Sequence, residues 1–123
     1  MNGAKIKSFT DLQAWQEAHK FVLLIYKTTK DFPKEEMFGL TSQVRRAAVS
    51  ITSNITEGFS RFSYKEKIQF YRMGLGSLTE AQNQLLIARD INYIKPEKFS
   101  NLVKLSITVQ KLLHGLIKKS KEF

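Results

Sequence analysis

An all-α fold, one antiparallel up-down-up-down bundle of four helices spanning residues 1–123, is what this sequence predicts. Three observations carry that expectation. Apolar residues recur every three or four positions along four long segments. Both prolines, Pro33 and Pro96, fall between segments, where their ring geometry does no harm. The links are short, which favours antiparallel neighbours. The β-branched run at residues 49–56 is the one local conflict, and its spacing is helical.

The first helix is expected over about 10–30, opened by a capping box at Thr10 and Gln13 and carrying Leu12, Trp15, Phe21 or Val22, Ile25 and Tyr26 on its core side. Asp31, Phe32 and Pro33 break it, because proline disfavours a helical residue before it. Glu35 and Glu36 suit a helix start, and Gly39 suggests that this first turn stands apart. The second helix is expected over 40–58, with Leu40, Val44, Ala47, Ala48, Ile51 and Ile55 on one arc and Gly58 as its stop. Ser63 and Glu66 form another capping pattern ahead of a third helix, 63–91, with Phe70, Met73, Leu78, Ala81, Leu85 and Ala88; Asn92 ends it. Pro96 suits the first position of the fourth, 96–119, which carries Phe99, Leu102, Val103, Ile107, Val109, Leu112, Leu113, Leu116 and Ile117.

Composition narrows the function. The chain has 123 residues, 42% of them hydrophobic, which suits one compact core and excludes a disordered or collagen-like chain. There is no cysteine, hence no disulfide, thiolate metal site or cysteine nucleophile. No apolar run is long enough to span a membrane, and residues 1–8 lack a signal-type stretch, so a cytoplasmic location is expected. Twenty Lys and Arg against eleven Asp and Glu give a formal charge of +9.

Beside the apolar arc of the second helix runs a polar stripe of Gln43, Arg46, Ser50, Asn54 and Glu57. Ser, Asn and Thr are weak helix formers, so packing is a reason for their concentration there. On the third helix Gly76, Ser77, Glu80 and Gln84 share a face, with Gly74 nearby. Antiparallel counting sets Arg46 opposite roughly Gly76 and Gln43 opposite roughly Glu80. Two readings stay open: a partly buried network in which Arg46 and Gln43 reach Glu80, continued by Ser50, Asn54 and Ser77, or the polar flank of an ordinary amphipathic helix.

Recognisable catalytic patterns are missing. Neither His19 nor His114 has a Glu three residues before it, so a bundle di-metal site is not expected. Residues 74–77 lack the lysine of a phosphate loop. Glu57 and Glu80 have no companion nucleophile or oriented base. No catalytic residue, metal or cofactor is expected, and the chain is read as not an enzyme.

Two basic groups remain. Lys104, Lys111 and Lys118 form a nearly straight row on the last helix, next to Lys119, in a segment from Lys98 to Phe123 whose charges sum to +5. Arg45, Arg61, Lys65, Lys67 and Arg72 cluster around the second link, interleaved with Phe59, Phe62 and Tyr64. Such rows can follow a phosphate backbone, and such aromatics can stack on unpaired bases. The competing readings are a solvated lysine face and hydrophobes that close the bundle's end or meet another subunit.

Several short motifs point the same way: Phe9-Thr10-Asp11-Leu12-Gln13-Ala14-Trp15, Phe32-Pro33 with Glu36, Gly39, Leu40 and Gln43, Arg45-Arg46-Ala47, Ser50-Ile51, Ser53-Asn54-Ile55, Glu57-Gly58, and Gly76-Ser77 with Glu80. Through them nearly the whole chain resembles the four-helix-bundle family encoded in intervening sequences of bacterial 23S rRNA genes, also labelled S23 ribosomal protein. The resemblance implies an antiparallel bundle assembling as a homopentamer, with nucleic acid as partner and RNA favoured over DNA by gene context. A related basic pentameric accessory protein of diversity-generating retroelements adds analogy. Thr52 stands where many relatives carry proline and Thr56 where alanine is common, which weakens any bend in the second helix. The function expected is thus a non-catalytic oligomeric bundle that binds RNA or DNA; the alternative is an oligomeric protein-interaction scaffold.

Overall fold

The computed structural model describes residues 5–121; residues 1–4 and 122–123, including Glu122 of the charged C-terminal segment, lie outside it. Four helices pack as a bundle: α1 (Gln13–Thr29), α2 (Leu40–Ser60), α3 (Tyr64–Asp90) and α4 (Pro96–Ser120), with 3-10 turns at Phe9–Asp11 and Lys34–Glu36. α1 packs on α2 and α4, and α3 on α2 and α4. Gly58 meets Tyr71, Asn54 meets Gly74 and Ser50 meets Ser77, so α2 and α3 run in opposite directions. Gln82 bonds Ser106 and Arg89 covers Phe99, so α3 and α4 do likewise.

Burial follows the apolar arcs. Phe21 and Ile25, Val44, Ile51 and Ile55, Leu78 and Leu85, and Leu102, Val109 and Leu113 are all fully buried. Tyr26, Met73 and Ile107, expected in the core, are about half exposed. At roughly 100° per residue each lies well off its helix's buried line: Tyr26 one residue past Ile25, Ile107 two before Val109, Met73 five before Leu78. Buried Ser106 is satisfied, donating to the Val103 carbonyl at 2.8 Å and accepting from Gln82 Nε2 at 3.1 Å.

Two termini differ from expectation. The first capping box is Ser8–Asp11, not Thr10–Gln13: Ser8 Oγ accepts the Thr10 N–H at 3.2 Å, and the Asp11 carboxylate accepts the Ser8 N–H at 3.0 Å. Leu12 is extended (ψ 128°), which parts this turn from α1 and leaves Thr10 inside the turn. Gly58 does not stop α2, which continues to Ser60. A Cβ there would lie 2.5 Å from Tyr71 Cε1 and 3.2 Å from the Lys67 carbonyl, so the glycine is a notch for the Tyr71 ring. At Thr52 the helix is unbroken, the hydroxyl donating to the Val49 carbonyl at 2.8 Å.

The remaining ends are closed as the residues suggested. Ser63 Oγ accepts the Glu66 N–H at 3.2 Å. Asn92 takes a left-handed conformation (φ 66°), and the Tyr93 and Asn92 N–H groups return to the Ala88 and Arg89 carbonyls at 2.8 and 3.0 Å, a Schellman-type ending. Glu36 clips this end of the bundle together, one carboxylate oxygen accepting the Leu40 N–H at 3.0 Å and the other the Tyr93 hydroxyl at 2.9 Å.

Gly58→Ala should lower stability by about 1–3 kcal/mol, because the added methyl would overlap the Tyr71 ring and crowd the Lys67 carbonyl. Gly76→Ala, where a Cβ meets nothing within 4 Å, should raise it by about 1 kcal/mol through helix propensity. Thermal melts of the two variants check the contrast. The bonds from Leu40 and Tyr93 hold the Glu36 carboxyl below its ordinary 4.5, so the unfolded chain binds its proton first as acid is added. The clip therefore stabilises fully above that value and fades below it. Glu36→Gln should melt lower than the parent at neutral pH, with the gap narrowing as pH falls through the acid limb.

Candidate nucleic-acid interface

Helix direction sorts the charges along the bundle. The half containing the α2–α3 link, the start of α1 and the end of α4 (residues 5–21, 51–77 and 109–121) carries eleven Lys and Arg against four carboxylates, Asp11, Glu17, Glu57 and Glu66. The other described half carries nine against six. From Lys98 to Lys121 the sequence has six lysines and no Asp or Glu. The molecule therefore has one strongly basic end.

The nine cations singled out in the sequence divide into two sets. Lys65, Arg72, Lys104, Lys111, Lys118 and Lys119 are exposed, and none pairs with a carboxylate among the described residues. Lys104 to Lys118 makes a ridge about 21 Å long on the outer face of α4. Gly74 lies 3.8 Å, from a Cβ position, to Leu113, which sets Arg72 and Lys65 at the same end of the bundle as Lys118 and Lys119.

The other three are committed within the chain. Arg45 Nε donates to buried Thr29 Oγ1 at 2.8 Å, and its guanidinium covers the Tyr26 ring at 4.7 Å. Arg61 pairs with Glu57 at 3.2 Å and lies 4.6 Å over Phe70. Lys67 Nζ caps α2 by donating to the Phe59 and Gly58 carbonyls at 2.7 and 3.4 Å, and partial burial lowers its pKa. Lys67 is thus a helix cap at the C-terminus of α2.

The polar stripe forms only in part. Ser50 and Ser77 hydroxyls meet at 2.8 Å across α2 and α3, and Asn54 Nδ2 donates to the Ser50 carbonyl and hydroxyl at 2.9 and 3.2 Å. Gln43, Arg46 and Glu80 are exposed and are not joined; Glu80 instead accepts from buried Gln84 at 3.2 Å. The Gly58–Tyr71 notch sets a register that brings Arg46 level with about residue 81, more than a turn beyond the expected Gly76. Arg46 also points about 40° further outward than Ser50.

Among the described residues, no group of three or more His, Cys, Asp or Glu is placed to hold a metal ion, and no helix is long and apolar enough to cross a membrane. His19 stacks on Trp15 at 4.7 Å and His114 is exposed.

Residues 10–115 match the model of the 23S rRNA-intervening sequence protein family. The chain belongs to that family. A solved structure of a protein of unknown function from the S23 ribosomal protein family of Bacteroides thetaiotaomicron VPI-5482 is similar, with a TM-score of 0.79 and 24% identity over 85% of this chain and 95% of that one. At that identity the likeness shows the fold. No curated protein matches the chain.

Two features of the molecule lie outside the helical patterns of its sequence. Met37 and Phe38, in the link before α2, are exposed, Phe38 at 94%, and form with Tyr26 and Val49 an apolar groove beside Arg45 and Arg46. Their position between Glu36 and Gly39, outside every helical arc, was the available signal. The second is the gathering of α2, α3 and α4 side chains around the basic end, which needs the tertiary register.

Arg46→Ala should change stability by less than about 0.5 kcal/mol, as for an exposed side chain. Arg45→Ala should cost about 1–3 kcal/mol, since it strips a bond from buried Thr29 and a cation from the Tyr26 face. Urea unfolding of the two variants reads the difference.

Proposed function

We propose that this family member is a non-catalytic, basic, oligomeric bundle that binds nucleic acid, RNA ahead of DNA, through phosphate attraction at its lysine-rich end. One observation carries the reading: among the described residues that half holds eleven cations against four carboxylates, with Lys111, Lys118, Lys119, Lys65 and Arg72 exposed there and unpaired. Such a surface attracts polyanions and releases their counterions on contact. The family's description, which refers to an intervening sequence of 23S rRNA, supports RNA as the partner. We place the protein in the cytoplasm, where such a partner resides.

Assembly as a homopentamer belongs to the same proposal. The exposed apolar groove around Phe38, Met37 and Val49 supports a contact between copies, because large exposed apolar side chains gain by being covered. Five copies would turn one basic end into a circle whose weak phosphate contacts act together. The same groove also favours a second reading, an oligomeric scaffold for another protein whose charge serves solubility.

Titration of purified protein against labelled RNA and duplex DNA from about 50 to 200 mM salt tests the proposal, with solution mass measured alongside. Expected are affinity that falls steeply with salt and a slope reduced by about one for each lysine lost in Lys111→Glu, Lys118→Glu and Lys119→Glu. Absence of binding to either polymer at the lowest salt overturns it in favour of the scaffold.

A further inference from the structure

The basic end also holds an apolar cavity of about 330 Å³. Phe59 at the end of α2, Phe62 in the link and Tyr64 and Tyr71 on α3 line it together with Leu12 and Leu116. The Phe62 ring is fully exposed and Tyr64 about half exposed, and neither belongs to the core of the bundle. Lys119 lies on the rim and also lines a neighbouring groove along α4 that passes Gly115 to Lys111. Among the described residues the one carboxylate in that groove, Asp11, is occupied by the Lys7 and Ser8 N–H groups of its capping box.

We propose that this cavity receives an unpaired base of single-stranded RNA, stacked on Phe62 and Tyr64, while the flanking phosphates meet Lys119 and Lys111. This rests on the phosphate-binding reading above and adds to it a preference for unpaired strands. A nucleotide needs two things close together, a flat apolar surface and a cation, and the α2–α3 link places the first beside the second. The volume is on the scale of sites that enclose small organic groups. Each stacked base contributes enough to be seen in affinity, and any base has a face to offer, so the site is tolerant of sequence. A second copy of this chain is a poorer occupant, because it would bring more positive charge to Lys119 and Lys111. Lys67, tied to the Phe59 and Gly58 carbonyls, fixes the wall and is not counted among the phosphate contacts.

The test compares a ten-nucleotide single-stranded RNA carrying 2-aminopurine with a fully paired RNA duplex of the same length, at one salt concentration. The single strand should bind more tightly, with a change in 2-aminopurine fluorescence. The double variant Phe62→Ala with Tyr64→Ala should lose about tenfold for the strand and nothing for the duplex. Both side chains are exposed, so the variant keeps its fold, which circular dichroism verifies. Equal binding of strand and duplex, unmoved by the variant, overturns the base site and leaves the phosphate reading standing. Binding to neither overturns both. A variant that changes the solution mass and weakens strand and duplex alike assigns these rings to a contact between copies and overturns the base site.

Discussion

The notch at Gly58 that admits the Tyr71 ring sets the register of α2 against α3, and the basic end of the bundle inherits that register. Tyr71 is buried and burial raises its pKa, so the ring stays neutral. Slipping one helix by a single turn, about 5.4 Å, would put a side chain into the notch and take Lys67 away from the α2 carbonyls it caps. Ser50 and Ser77 would lose each other in the same step. One missing Cβ thus fixes where the link turns, which residues of α3 stand beside the end of α4, and where Phe62 and Tyr64 are displayed.

The helices were legible because their information is local. A three- or four-residue apolar spacing, a proline at the start of α4 and Asn92 at the end of α3 each act within a few residues, and the structure places the helices there. Register was not legible. The expected pairing of Arg46 with Gly76 came from counting outward from the link, whereas the observed pairing is decided by a large ring meeting a glycine thirteen residues earlier. Arg46 comes level with Glu80 in the observed register, yet Arg46, Gln43 and Glu80 are all exposed and stay unjoined. The basic residues were visible one by one, but that Lys67, Arg61 and Arg45 are committed inside the chain depends on carbonyls, a carboxylate and rings brought up by folding. The cavity is illegible for the same reason, since its walls come from residues as far apart as Leu12 and Leu116.

The fold's own needs explain part of the charge asymmetry and leave the rest. Lysines at the end of α4 are favoured by the partial negative charge of a helix C-terminus. Lys65 gains nothing of the kind, lying in the first turn of α3, where the helix favours anions and only Glu66 answers. Arg72, exposed and unpaired among the described residues, adds to the repulsion nearby. Meanwhile Glu36, Asp31 and Asp90 stand at the far end, in the clip and in ion pairs with Lys98 and Arg89. A chain arranged for stability alone would mix the signs. Keeping like charges together at one end is a standing electrostatic penalty that a bound polyanion would remove.

A four-helix scaffold can carry many activities, so its likeness to another S23-family structure speaks to the frame and not to the use of the surface. The two surfaces available to a basic bundle differ in what they can read. A ridge such as Lys104, Lys111 and Lys118 presents evenly spaced charge and follows any phosphate backbone, paired or unpaired. An end adds what a helix face lacks: a link whose residues are free of helical spacing and can hold rings out into solvent. Lys104 falls in the less basic half, whereas Lys111 and Lys118 fall in the half with Phe62 and Tyr64. The charge is therefore concentrated where the aromatic groups are. That coincidence is not required by helix packing, and on the proposed reading it is the end of the bundle, more than the length of α4, that would tell an RNA strand from a duplex.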